Sequence, residues 1–106
     1  MYSNKKTNFS LVFYISRTKA KKNGEVPVLL KININGARKV MQLQRSIQPE
    51  DWDANRHQMK GRTTEARVFN EYLEAIRMKA HKKYNELLSY YDDVSPQMLR
   101  DAILGV

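Results

Sequence analysis

Apolar and polar positions alternate from Phe9 to Arg17, with Phe9, Leu11, Phe13 and Ile15 set against Ser10, Val12, Tyr14 and Ser16, the period of a half-buried strand. Turn chemistry follows in Thr18 to Glu25, which contains Lys19, Lys21, Lys22 and the pair Asn23-Gly24. A second β-type run spans Val26 to Ile34 and ends at Asn35-Gly36. That dipeptide is the strongest hairpin signal in the chain, because a two-residue type I′ turn needs positive φ at both positions. It also sets a register: Ile34 opposite Ala37, Asn33 opposite Arg38, Ile32 opposite Lys39, Lys31 opposite Val40, Leu30 opposite Met41 and Leu29 opposite Gln42. One face then carries Val28, Leu30, Ile32, Met41 and Leu43, joined by Phe9, Leu11, Phe13 and Ile15 of the first strand. The other carries Leu29, Lys31, Asn33, Arg38, Val40, Gln42 and Gln44, joined by Tyr14 and Ser16. A three-stranded antiparallel sheet over residues 9–44, greasy on one side and polar on the other, is the expected result.

A cover for the greasy side is written downstream. Ala66, Phe69, Leu73, Ile76, Ala80, Tyr84, Leu87 and Tyr91 recur at steps of three and four, the stripe of an amphipathic helix over residues 64–91 with Thr63 as its N-cap. At 1.5 Å per residue such a helix runs to roughly 40 Å, whereas a nine-residue strand spans about 30 Å, so its C-terminal end should overhang the sheet. Ser95-Pro96 opens a short second helix, residues 96–104, stopped by Gly105. It is expected to fold back near Tyr84 and Leu88 or to await a following domain. The connector, residues 45–62, is about as long as structureless links usually get, and a turn at Pro49-Glu50-Asp51 would place Trp52 against the core edge. The fold class is therefore α+β, one domain over residues 1–106. The end at Gly105-Val106 has the look of a module cut from something longer.

Composition excludes more than it selects. At 106 residues, 42% apolar and 28% charged, the chain has ordinary globular usage. No apolar run approaches the roughly 20 residues of a membrane span, and the first ten residues lack the apolar block of a secretory signal. There is no cysteine, which removes disulfides, thiolate metal sites and cysteine nucleophiles and fits a reducing compartment. Catalysis has little to stand on. His57 and His81 lack the pairing of a helical metal site, four glycines make no phosphate loop, and Asp92-Asp93 reads as a helix-ending loop. No catalytic residue, metal or other cofactor is expected, and no small-molecule substrate or membrane partner.

Charge is where the sequence becomes specific. The net +8 divides into +9 over residues 1–48, where Glu25 is the single acid, and −1 over residues 49–106. A cationic half of a small domain implies a polyanion facing it. Tyr14, Ser16, Lys31, Asn33, Arg38, Gln42 and Gln44 share the polar sheet face. Arg and Lys suit guanine edges, Asn and Gln suit adenine, and two strands fit a major groove about 12 Å wide. Lys5, Lys6, Arg17, Lys19, Lys21 and Lys22 would meet phosphates, which position without specifying. A face tuned only for solubility would mix signs, and this one holds no acid.

The order Phe9-x-Leu11-x-Phe13-Tyr14-Ile15-x-Arg17, then Gly24-Glu25-x-Pro27, Asn35-Gly36, Ile47-x-Pro49-x-x-Trp52-Asp53 and Lys60-Gly61-Arg62 before a long helix resembles the N-terminal arm-type DNA-binding domain of tyrosine recombinases, the phage-integrase-like enzymes of conjugative transposons. The likeness runs from about Phe9 to Gly105. It implies a sheet entering the major groove of arm-type sites in duplex DNA, in concert with the remaining recombinase domains, during integration and excision of a mobile element in the bacterial cytoplasm, nucleoid-associated when bound. Full members carry a catalytic domain with His-x-x-Arg. Here His57 is followed by Gln-Met-Lys and His81 by Lys-Lys-Tyr, so this chain is expected to be no enzyme although its parent would be one. Two other classes fit the pattern: a double-stranded RNA-binding module, and a protein-interaction module using the overhanging helix.

Overall fold

The computed structural model describes residues 8–106. Three strands, β1 (Phe9–Ile15), β2 (Val26–Ile34) and β3 (Ala37–Ile47), form an antiparallel sheet in the order β1-β2-β3. A short hairpin of β4 (Trp52–Asp53) and β5 (Gln58–Met59) follows, then α1 (Thr64–Leu88) and α2 (Pro96–Leu104). The architecture is α+β, as the periodicity predicts.

The Asn35-Gly36 turn has the positive φ values, 50° and 86°, that a type I′ hairpin demands. Register follows from it as expected, from Ile34 opposite Ala37 to Leu29 opposite Gln42. Beyond that pair the ladder breaks, and Pro27 pairs with Ser46 and Val26 with Ile47, so Leu43, Gln44 and Arg45 oppose Val28 alone. Two extra residues leave the in-out alternation intact where one would have inverted it. Leu43 and Ile47 consequently remain buried and β3 runs to Ile47, three residues past the expected limit.

The covered face holds Leu11, Phe13, Val28, Leu30, Ile32, Met41 and Leu43, all buried. α1 runs from the bulged end of the sheet toward the Asn35-Gly36 turn, with Tyr72 under Arg45, Arg77 over Phe13, and Tyr84 stacked on Phe9 at 4.1 Å between ring centroids. Thr63 caps it, its hydroxyl accepting from the Ala66 amide. The helix stops at Leu88, short of Tyr91, which is exposed on the following loop.

α2 departs from expectation in its packing. One helix about 10 Å across is no wider than roughly two strands spaced at about 4.8 Å, which leaves part of the three-stranded apolar face for a second element. α2 fills that gap, contacting β2 and β3 as well as α1, and its Leu99 is wholly buried. The connector is also less open than predicted, because a 3-10 turn at Pro49–Asp51 leads into the β4–β5 hairpin and buries Trp52. Asn70 of α1 clamps that hairpin, its amide bonding both the N–H and the carbonyl of Met59.

Tyr84 is 5% exposed and its hydroxyl has no hydrogen-bond partner among the described residues. A buried polar group left unpaired costs about 1–3 kcal/mol. Tyr84→Phe is expected to raise unfolding stability by about 1 kcal/mol, seen as a higher urea midpoint at unchanged slope; a lower midpoint would show that the hydroxyl is bonded in solution.

Candidate nucleic-acid interface

The outward sheet face is a small lattice set by the ladder. Its rows are Ser10, Asn33 and Arg38; Val12, Lys31 and Val40; and Tyr14, Leu29 and Gln42. Strands spaced at about 4.8 Å and rows at about 6.7 Å make the patch roughly 10 by 13 Å, which matches a groove about 12 Å wide. Within it the Asn33 amide donates to Ser10 Oγ at 3.3 Å, and Lys31 Nζ lies 6.0 Å from the Tyr14 ring centroid. Arg38, Gln42 and Gln44 are exposed, and Tyr14, Lys31 and Asn33 half-buried. Leu29 sits on the same face but is only 6% exposed, since the turn at Arg17–Lys19 packs against β2.

The β1–β2 loop is built rather than loose. Lys21 N–H donates to the Glu25 carbonyl at 2.7 Å, and the Gly24 amide returns to Lys21 O at 2.9 Å. Across the sheet end, Lys21 Nζ donates to Ser46 Oγ, which donates to Glu25 Oε1, while the Gln48 amide donates to the Asn23 carbonyl. Lys21 therefore shares a pocket of about 230 Å³ with Pro27, Gln42, Gln44 and Ser46, on the outward side of the bulged end. Arg17, Lys19 and Lys22 stand exposed on this anchored loop. Ser16, one residue past β1, donates its N–H to the Pro27 carbonyl and shares a hydrogen bond with the Thr18 hydroxyl.

Acids, more than cations, separate the two halves of the molecule, with Glu25 alone in residues 1–48 and ten in residues 49–106. The ion pairs among the described residues are Arg77 with Glu74, Lys83 with Glu86, and Arg100 with Asp101, all on helices. Arg17, Lys19, Lys22, Lys31 and Arg38 have no carboxylate partner among the described residues. Glu25, the acid of this half, is engaged by Ser46. The result is a concentrated positive field over one face.

Of the residues singled out in sequence, Tyr14, Lys31, Asn33, Arg38, Gln42 and Gln44 share this face, with Ser16 at its edge and Arg17, Lys19, Lys21 and Lys22 on the adjoining loop. Lys5 and Lys6 lie outside the described residues. Ser46 belongs to the site and was missed, because the pairing that puts it opposite Pro27 depends on a bulge that the turn signal does not announce. Arg45, its neighbour, turns instead to the Tyr72 ring at 4.3 Å.

The two histidines hold packing positions. His57 bonds the Phe13 carbonyl through Nδ1 and His81 sets its ring against Phe9, two packing roles. Among the described residues, no cluster of His, Cys, Asp or Glu is placed to hold a metal ion, and no helix is long and apolar enough to cross a membrane. A depression between the β4–β5 hairpin and the start of α1 mixes Arg62 and Arg67 with Glu71 and Glu74.

In comparison with known proteins, the model of the arm DNA-binding domain family matches residues 13–100. That stretch takes in β1 from Phe13, the whole β1–β2 loop, β2, β3, the β4–β5 hairpin, all of α1 and α2 as far as Arg100. No curated protein and no solved structure matches the chain.

Proposed function

The chain belongs to the arm DNA-binding domain family, which makes DNA its partner, and from that premise we propose that the outward sheet face reads duplex DNA in the major groove while the β1–β2 loop holds the phosphates. One observation carries this reading: the face that fits the groove carries Lys31 and Arg38 and no acidic residue in any of its rows. Lys31 and Arg38 take guanine edges, and Asn33, Gln42 and Gln44 take adenine. Arg17, Lys19, Lys21 and Lys22 contact backbone. In the parent protein this module binds arm-type sites for a site-specific recombinase, assists integration and excision, and works beside the remaining recombinase domains.

The test is a comparison of variants on two probes, a duplex selected from a randomised library and a scrambled copy of it. Lys31→Ala and Arg38→Ala are each expected to cost about 1–3 kcal/mol on the selected duplex and much less on the scrambled one. Lys21→Ala is expected to weaken both alike. Equal losses for all three variants on both probes would reject sheet readout, and tighter binding to an RNA duplex of the same sequence would move the protein to the shape-reading class.

A further inference from the structure

Two valines stand among the polar groups of the outward face. Val12 of β1 and Val40 of β3 flank Lys31 of β2 in the middle row, and Val40 is 40% exposed. Single exposed apolar residues are common on any surface. This pair differs in its placement, one branched side chain on each side of a lysine that also lies 6.0 Å from an aromatic ring. The pairing sets branched apolar side chains directly beside the lysine on both neighbouring strands.

In the major groove, thymine is marked by a C5-methyl group, and apolar side chains recognise it by contact. Resting on the groove reading above, we propose that Val12 and Val40 are specificity-determining residues that read thymine methyls next to the guanine taken by Lys31. Each valine lies one strand spacing, about 4.8 Å, from the lysine row position. With about 3.4 Å per base along a strand, that offset covers no more than two base-pair steps, whichever way the strands run in the groove. The preferred site therefore has a guanine with thymine within two base pairs, and removal of the methyl is felt there.

The probe is the selected duplex and copies of it in which thymines are replaced one at a time by deoxyuridine, which keeps the pairing and deletes only the methyl. At least one thymine within two base pairs of the Lys31-dependent guanine is expected to give about a fourfold loss of affinity on replacement, the worth of one buried methyl-sized group. Val40→Ala or Val12→Ala should weaken the thymine duplex and leave the matching deoxyuridine duplex unchanged, so that the two losses do not add. The substitution in the DNA needs no altered protein, which keeps the test independent of folding. If Lys31→Ala abolishes the guanine preference and every deoxyuridine copy still binds like the parent, the methyl contact is overturned and the groove reading stands. If Lys31→Ala leaves the guanine preference intact, the groove reading fails and the methyl contact falls with it.

Discussion

Trp52→Ala is expected to lower unfolding stability by about 3–5 kcal/mol, the range for removing a buried aromatic side chain. Trp52 is 5% exposed and belongs to the same core cluster as Ile47, Phe69 and Leu73. It also pairs with Met59 across the β4–β5 hairpin, whose other attachments are Asn70 to the Met59 backbone and His57 to the Phe13 carbonyl. Loss of the indole leaves a cavity where the hairpin joins the core shared with the sheet end and α1. A domain of this size holds only about 5–15 kcal/mol in total, so the variant should be near the edge of folding at 37 °C. Urea unfolding followed by circular dichroism measures it: the midpoint should drop with the slope unchanged, while Lys22→Ala, on the exposed loop, stays within about 0.5 kcal/mol of the parent. A Trp52→Ala shift under 1 kcal/mol would mean that the indole is not an anchor.

The legible part of this fold is the part governed by local rules. Asn35-Gly36 fixes a turn type, the turn type fixes register, and register assigns Lys31, Asn33, Arg38 and Gln42 to one face without any knowledge of the rest of the chain. The helix caps at Thr63 and Ser95 are similarly local, each side chain accepting from an amide three residues on. What escaped depends on contacts far apart in sequence. The bulge between the Leu29–Gln42 and Pro27–Ser46 pairs is stabilised by a loop that reaches back to Ser46 and Gln48, and nothing in the β3 run itself encodes it. The seat of α2 is decided by how much sheet α1 leaves uncovered, a question of widths and not of pattern. The hairpin at Trp52–Met59 is too short for a periodicity, although Asp53 closes it by accepting from the amides of Asn55 and Arg56. Lys39, by contrast, is placed by the same local register. Its pairing with Ile32 places it on the covered side near the turn, half-buried, so it is a cation of the basic half that does not join the outward face.

Affinity for duplex DNA is expected to fall about a thousandfold between 50 and 200 mM monovalent salt, because five or six neutralised phosphates give a slope of log K against log salt near −5. The candidates for those contacts are Arg17, Lys19, Lys21 and Lys22, together with Lys5 and Lys6 of the N-terminal segment. Lys19 and Lys22 are exposed on a loop that hydrogen bonds hold in place, so little ordering cost accompanies their use. Replacing both with alanine should flatten the slope by about 1.8 while leaving the ratio of selected to scrambled binding unchanged. Lys31→Ala should instead change the ratio. The helical cations supply an internal control: Lys83 lies 3.6 Å from the Glu86 carboxylate, and its removal should leave the slope where it was. Fluorescence anisotropy titrations at four salt concentrations measure all three effects. Binding to the duplex that persists unweakened in 0.5 M salt, where screening confines charge interactions to a few ångströms, would show that the loop lysines do not neutralise phosphates and would overturn the backbone role of the β1–β2 loop.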